Sequence, residues 1–334
     1  MNQETAAILG PSIRSNTNFT YTRVDPTLVC TSTGGISEMA RWVLDIHEIL
    51  RIEESYPPTL GTRKLQKLSG TDGTENNPVL IQTDSLLYTA ESVMAYYDQQ
   101  VPADRRLFGN ENTQPKITEW FRLFQNELNM NVWGYVYSEL FRSRAETLKL
   151  LKQDADFWER VRLSLALGSV KRALSKQFDI NDRPPATFLV EIQKIFTRVD
   201  NELSDGRKYL VGDKLSAADI AFAAIAAPII LPEEFGGANL SFKDISEELR
   251  QEIFDLRATA AGQYAMRLYI EDRPINLKLG EITPMPTAIQ KLMDRIKIVL
   301  AGGQPGLFYF LQKRLPVIKI ELNSISFDTK RITH

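Results

Sequence analysis

Residues 209–230, YLVGDKLSAADIAFAAIAAPII, constrain the fold more than any other stretch of the chain. An aromatic residue and a Gly-Asp turn lead into a long, almost uncharged helix with one acid, Asp219, at its mouth. A helix that is apolar on every side must be buried. A buried helix end cannot leave its first N–H groups without partners. Ser216 and Asp219 stand three apart, the spacing of a capping box: the Ser216 hydroxyl accepts from the Asp219 amide, and the Asp219 carboxylate reaches back to the Ser216 amide. Leu215 and Ile220 flank the pair as a hydrophobic staple. Asp219 therefore reads as structural, worth on the order of 1 kcal/mol as a cap, rather than catalytic.

Bulk properties narrow the function. The chain has 334 residues, enough for two domains and extra segments. A formal charge of −2 gives no electrostatic case for nucleic acid. Cys30 is the single cysteine, so neither an internal disulfide nor a cysteine-rich metal site can form, and no metal is expected. Only His47 and His334 are histidines, which argues against a zinc site or a Ser-His-Asp triad; His47 reads as a structural helix residue. No run approaches the roughly 18 apolar residues of a membrane span, and no secretory signal is recognised. A reducing, cytoplasmic location is the expectation.

Along the chain, residues 1–25 are rich in Ser, Thr and Asn and read as a surface tail. TLVCTS (27–32) is β-prone and ends at Gly34 and Gly35; ISEMARWVLDIHEI follows with helical spacing of Ile36, Met39, Val43 and Ile46. LRIEES reads as a second strand, residues 57–77 as irregular, NPVLIQ and LLY as two more strands, and AESVMAYYDQQ as a short helix. After a linker-like DRRLFGNENTQP (104–115), helical periodicity dominates: 115–146, 155–178, 186–204, 216–231, 245–255 and 257–271. The fold class that follows is an α/β domain of the form βαβ-ββα over 26–100, an all-helical bundle over 112–274, and a C-terminal extension over 275–334 that packs on the helical domain.

YLVGDKLSAADIAFAA resembles the helical domain of the glutathione transferase superfamily, whose core helix is capped by a Leu-Ser-x-Ala-Asp box. NPVL resembles the turn at which that family keeps a cis proline before its third strand, and MAYYDQQ the end of its third helix. The resemblance covers about residues 26–273. It implies a thioredoxin-like first domain that binds glutathione as co-substrate, and a homodimer.

It also implies a site. A Ser, Tyr or Cys after the first strand donates to the glutathione thiol and favours the nucleophilic thiolate. A gapless count places Gly34, which has no hydroxyl, at that position; the candidates are Ser32, then Thr33, Ser37 and Cys30. Cys30 also reads as a small buried strand residue. Asn77 before Pro78 would pair its main chain with the cysteinyl part of glutathione, with Val79 following. The acid-Ser pair that holds the γ-glutamyl end is matched in type by Glu91-Ser92 and in spacing by Thr89-Ala90, and both alignments stay open. Trp120, Phe124 and Tyr135, with Phe121, Trp133 and Tyr137, would wall the second substrate's site.

The expected activity is attack of the activated glutathione thiol on a small apolar electrophile. Two alternatives stand beside it: a non-catalytic binding or interaction protein, favoured by Gly34 and Ala90, and a specialised pathway isomerase or thioether-forming enzyme. PGLFYFLQKRLPVIKIEL (305–322) is apolar, then basic; it reads as packing on the helical domain in preference to contacting a membrane surface.

Overall fold

The computed structural model describes residues 26–58, 68, 77–83, 85–153, 155, 157–274 and 278–281. The tail expected at 1–25 and most of the extension, 282–334, lie outside them.

Strand β1 (Thr27–Thr31) is built from β-prone residues and is buried on both faces, so its alternation sorts neighbours rather than water. Leu28 and Cys30 join the large core shared with the helices, while Val29 joins a smaller cluster of Tyr56, Val79, Ile81, Leu86 and Tyr88 on the other face. Helix α1 (Gly35–Ile46) returns the chain to β2 (Arg51–Tyr56), which pairs parallel to β1 with Cys30 opposite Ser55. The Asn77–Pro78 peptide is cis, as the resemblance implies. β3 (Val79–Ile81) and β4 (Leu86–Leu87) then pair antiparallel, β3 against β1, and α2 (Ala90–Asp98) closes the unit.

Asp98 ties the two halves at the linker. Its carboxylate oxygens each accept a backbone N–H at 2.8 Å, from Leu107 and Phe108. The Leu107 carbonyl in turn accepts the Ala217 amide at 2.8 Å, at the mouth of the apolar helix.

The helical half begins with α3 (Gln114–Leu123), which passes through a π-helical turn at Phe124–Leu128 into α4 (Asn129–Leu140). Helices α5 (Arg144–Leu151), α6 (Phe157–Gln177) and α7 (Pro185–Leu203) follow. Helix α8 (Ala217–Ile230), in which every residue is buried, packs against α1, α3 and α4. Helices α9 (Glu247–Ala258) and α10 (Ala260–Arg267) complete the half, with a π-helical turn at Leu268–Asp272.

The capping box of α8 forms as its spacing predicts. The Asp219 carboxylate also accepts from the Leu210 amide at 2.9 Å and from the Tyr264 hydroxyl. Burial raises its pKa, and these hydrogen bonds oppose the rise. Pro228, inside the helix, cannot donate to the carbonyl four residues earlier, that of Ala224. At that level α1 makes its closest approach: a methyl on Gly35 would lie 2.5 Å from the Ala224 oxygen and 2.8 Å from Ile225 Cα. Only glycine lets the first turn of α1 seat there.

Of the extension, four residues are described. Residues Lys278–Glu281 form β5, which pairs parallel to β2 and gives the sheet the order β4-β3-β1-β2-β5. An edge strand with unpaired main-chain groups is a general attractor for another strand, and here the chain returns to supply it.

Candidate functional site

The turn between β1 and α1 lies where the sheet, the proline turn and the helical half meet. Thr31, the last residue of β1, links the sheet to the proline turn and to α1. Its amide donates to Asn77 Oδ1 at 3.3 Å, its Oγ1 accepts from Asn77 Nδ2 at 3.0 Å, and Oγ1 lies 3.1 Å from Ser37 Oγ. Pro78 and Val79 are buried behind Asn77, which is half-buried. Ser32 continues the line of β1, its amide donating to the carbonyl of Tyr56 on β2 at 2.8 Å. Gly34 caps α1 in an extended conformation with no side chain to offer.

The four candidate thiol activators are treated very differently by the fold. Cys30 points into the core, where Arg41 Nη2 lies 3.2 Å and Glu53 Oε1 3.4 Å from its sulfur. Burial pushes its thiol up to about 12, against the pull of Arg41 and with the repulsion of Glu53. A thiol so hard to ionise is neither nucleophile nor partner for a mixed disulfide; the bland strand reading holds. The Ser37 hydroxyl is engaged by Thr31. Thr33 hydrogen-bonds Tyr137 of α4, whose phenol burial drives well above its ordinary pKa, so it stays protonated. Ser32 Oγ is buried and has no hydrogen-bond partner among the described residues.

At α2, Thr89 is the N-cap. Its Oγ1 accepts from the Ser92 amide and its amide donates to Ser92 Oγ, both at 3.0 Å. The Ser92 hydroxyl is therefore spent on the cap and donates onward to the Thr89 carbonyl at 2.9 Å. Glu91 is half-buried in the first turn; desolvation raises its carboxyl and the charge of Arg122 on α3 opposes this. The helix thus opens after Thr89, with the Ser92 hydroxyl bonded to its cap.

The residues proposed as an aromatic wall pack as follows. Trp120 and Phe124 stack on each other at 5.3 Å, Phe124 meets Phe222 of α8 at 5.0 Å, and the Arg198 guanidinium covers Trp120 at 4.6 Å. Their helical stripe faces the bundle core. Tyr135 is buried too, and desolvation with the nearby Glu139 and Glu252 raises its phenol. Of the aromatic set on this helix, Tyr137 is the one bonded to the turn.

Sequence reasoning missed a buried ionic cluster behind the turn. On α1, Glu38, Arg41 and Asp45 share one face; Arg51 and Glu53 project from β2; Arg273 arrives from beyond α10. Arg41 meets Glu53 and Arg51 meets Asp45, each at 2.6 Å, while Arg273 binds Glu38 at 2.9 Å and Asp45 at 2.7 Å. Arg273 also lies over Trp42, whose indole N–H donates to the Asp272 carbonyl at 3.3 Å. Charges spaced i, i+3, i+7 read as a solvated helix face, and their partner from 235 positions away leaves no local signal. Among the described residues there is no cluster of three metal-ligating side chains, and no helix long and apolar enough to cross a membrane.

A thioredoxin-like unit whose proline turn meets a helical bundle through a capped, buried core helix is the architecture of a glutathione transferase. Residues 174–241 match the family model of the glutathione S-transferase, C-terminal domain. No curated protein matches the chain. Among solved structures it is similar to a glutathione S-transferase from Xanthobacter autotrophicus Py2 (14% identity, 76% of this chain and 96% of that one, TM-score 0.46). It is also similar to FzlA from C. crescentus (17%, 76% and 96%, 0.43) and to glutathione transferase URE2P8 from Phanerochaete chrysosporium with oxidised glutathione (13%, 75% and 98%, 0.44).

Proposed function

We propose that the protein binds glutathione along the Asn77-Pro78-Val79 turn and the N-terminus of α2, and that Ser32 donates to its thiol. The observation that carries this reading is Ser32 Oγ: a buried hydroxyl with no partner among the described residues, at the end of β1 beside the start of α1. A hydroxyl donated to sulfur favours thiolate, and the positive end of α1 adds to the effect. Thr33 is the weaker candidate because Tyr137 already engages it. Holding thiol and electrophile together would supply most of the rate. The reading includes a cytoplasmic homodimer.

A second reading, a glutathione-binding protein without conjugating activity, is favoured by one observation. Ser32, Thr33, Ser37 and Cys30 are all at most 3% exposed. Retention on immobilised glutathione tests binding in both readings. A conjugation assay with a neutral electrophile separates them: Ser32→Ala is expected to lower the rate by about two orders of magnitude, with Thr33→Val milder. An unchanged rate in Ser32→Ala removes Ser32 from the mechanism, and no rate in the parent protein selects the binding reading.

A further inference from the structure

Helix α6 has two faces of opposite character. Leu163, Leu167, Val170 and Leu174 recur at helical spacing and are buried where the helix packs against α4 and α5. Two cations fasten it there. Arg144 of α5 donates to the Ser164 carbonyl at 2.9 Å, and Lys171 donates to the Phe141 carbonyl at 2.7 Å while lying over the Phe141 ring. On the opposite side, Arg162, Leu165, Ser169, Arg172 and Lys176 follow one another three and four residues apart, and all are exposed. At the rise of an α-helix this stripe runs about 21 Å.

The charge of this helix is one-sided. From Arg160 to Gln177 the sequence holds five cations, Arg160, Arg162, Lys171, Arg172 and Lys176, and no acid. The one acid of α6, Glu159, is buried. Two of the arginines bond neutral groups, Arg160 the Ala155 carbonyl at 2.8 Å and Arg172 the Ser169 hydroxyl at 3.2 Å. None of the five has an ion-pair partner among the described residues. By contrast, exposed Lys116 of α3 pairs with Glu202, and exposed Lys194 and Arg198 of α7 pair with Glu191 and Glu119. Burial and then the charge of Arg144 lower the pKa of the Lys171 ammonium. A chain of formal charge −2 thus concentrates positive charge on one outward stripe.

The same face carries apolar side chains in water. Leu165 is 84% and Phe157 70% exposed, the two highest values for large apolar residues among those described. They stand eight apart, on one side of the helix. A face that is merely solvated has no use for them, and a nucleic acid would meet the cations and leave Leu165 in water. A single helix face is convex and gives no walls to grip a peptide. An anionic bilayer uses both features: headgroups meet the cations, and the acyl boundary takes the apolar side chains. We propose that the outer face of α6 docks the protein reversibly on an anionic lipid bilayer. Leu165 and Phe157 enter the headgroup boundary, and Arg162, Arg172 and Lys176 pair with lipid anions around them. This docking is independent of the function proposed above.

The test is flotation of the full chain with phosphatidylcholine vesicles, with and without about 30 mol% phosphatidylserine, at about 50 mM and about 500 mM salt. Binding is expected only to the anionic vesicles and only at the lower salt. Arg162→Gln and Leu165→Gln should each weaken it about fivefold. The double variant Arg162→Glu/Arg172→Glu should abolish it, and Lys194→Gln, on the paired face of α7, should leave it unchanged. All these positions are exposed, so the unfolding midpoints should stay close to that of the parent, which separates lost docking from lost fold. No binding to anionic vesicles, or equal binding to both kinds, would overturn the proposal. Undiminished binding by the double variant would move the contact elsewhere in the chain, for example to 305–322, and overturn it too. Affinity unaltered in Leu165→Gln, with retention of the parent on duplex DNA, would make the stripe a general polyanion site and overturn the lipid assignment.

Discussion

Arg273 donates its Nε–H to Glu38 Oε1 at 2.9 Å, and this bond joins the end of the helical half to the first helix of the α/β half. The same guanidinium donates to Asp45 Oδ2 at 2.7 Å and lies over Trp42. Tyr269 also packs against Trp42, ring centroids 4.9 Å apart. The residues after α10 therefore act as a clasp on α1 before the chain runs on to β5.

Arg273→Met keeps the packing stem and removes the charge. It leaves Glu38 and Asp45 buried with one counter-charge fewer each, and breaking a buried pair in this way costs about 3–5 kcal/mol. Urea unfolding should show that loss. A cost below about 1 kcal/mol would mean that water reaches the cluster and screens it.

Cys30 should be inert in the folded protein. With its thiol pushed up to about 12 by burial, almost no thiolate exists at neutral pH. An alkylating reagent is expected to label it only under denaturing conditions. Labelling of the native chain at a rate close to that of the denatured one would show that the β1 core opens readily.

Asp219 gives a pH dependence with a definite sign. Its folded pKa lies above the ordinary 3.8 because burial disfavours the charge. The folded state thus holds the proton more firmly than the unfolded state. The stability this contributes is full below 3.8 and is lost as pH rises through the folded value. The stability difference between wild type and Asp219→Asn should therefore shift against the wild type as pH rises across that window. Asp219→Ala, which removes the cap and its bonds to Leu210 and Tyr264, should cost about 2 kcal/mol or more.

Much of the fold was legible because its signals are local. The capping residues of α8 sit three apart, the strands carry their β-prone runs, and the apolar stripe of α3 and α4 repeats at helical spacing. The site was less legible because its decisive contacts join distant residues. Spacing and residue type left Thr89-Ala90 and Glu91-Ser92 as rivals, and only the fold turns the Ser92 side chain back onto Thr89. The stripe that suggested a substrate wall is the same pattern that a bundle core requires, and only the fold brings Phe124 against Phe222 of α8.

The sequence by itself determined the elements, their order and the buried, capped core helix, because propensity, periodicity and caps act over a few residues. Only the tertiary structure decided which charges are buried and which hydroxyl is left without a partner. Burial and pairing depend on Arg273, Gly236 and Ala238 coming back across the chain to Glu38 and Ser32, and no local pattern encodes that return.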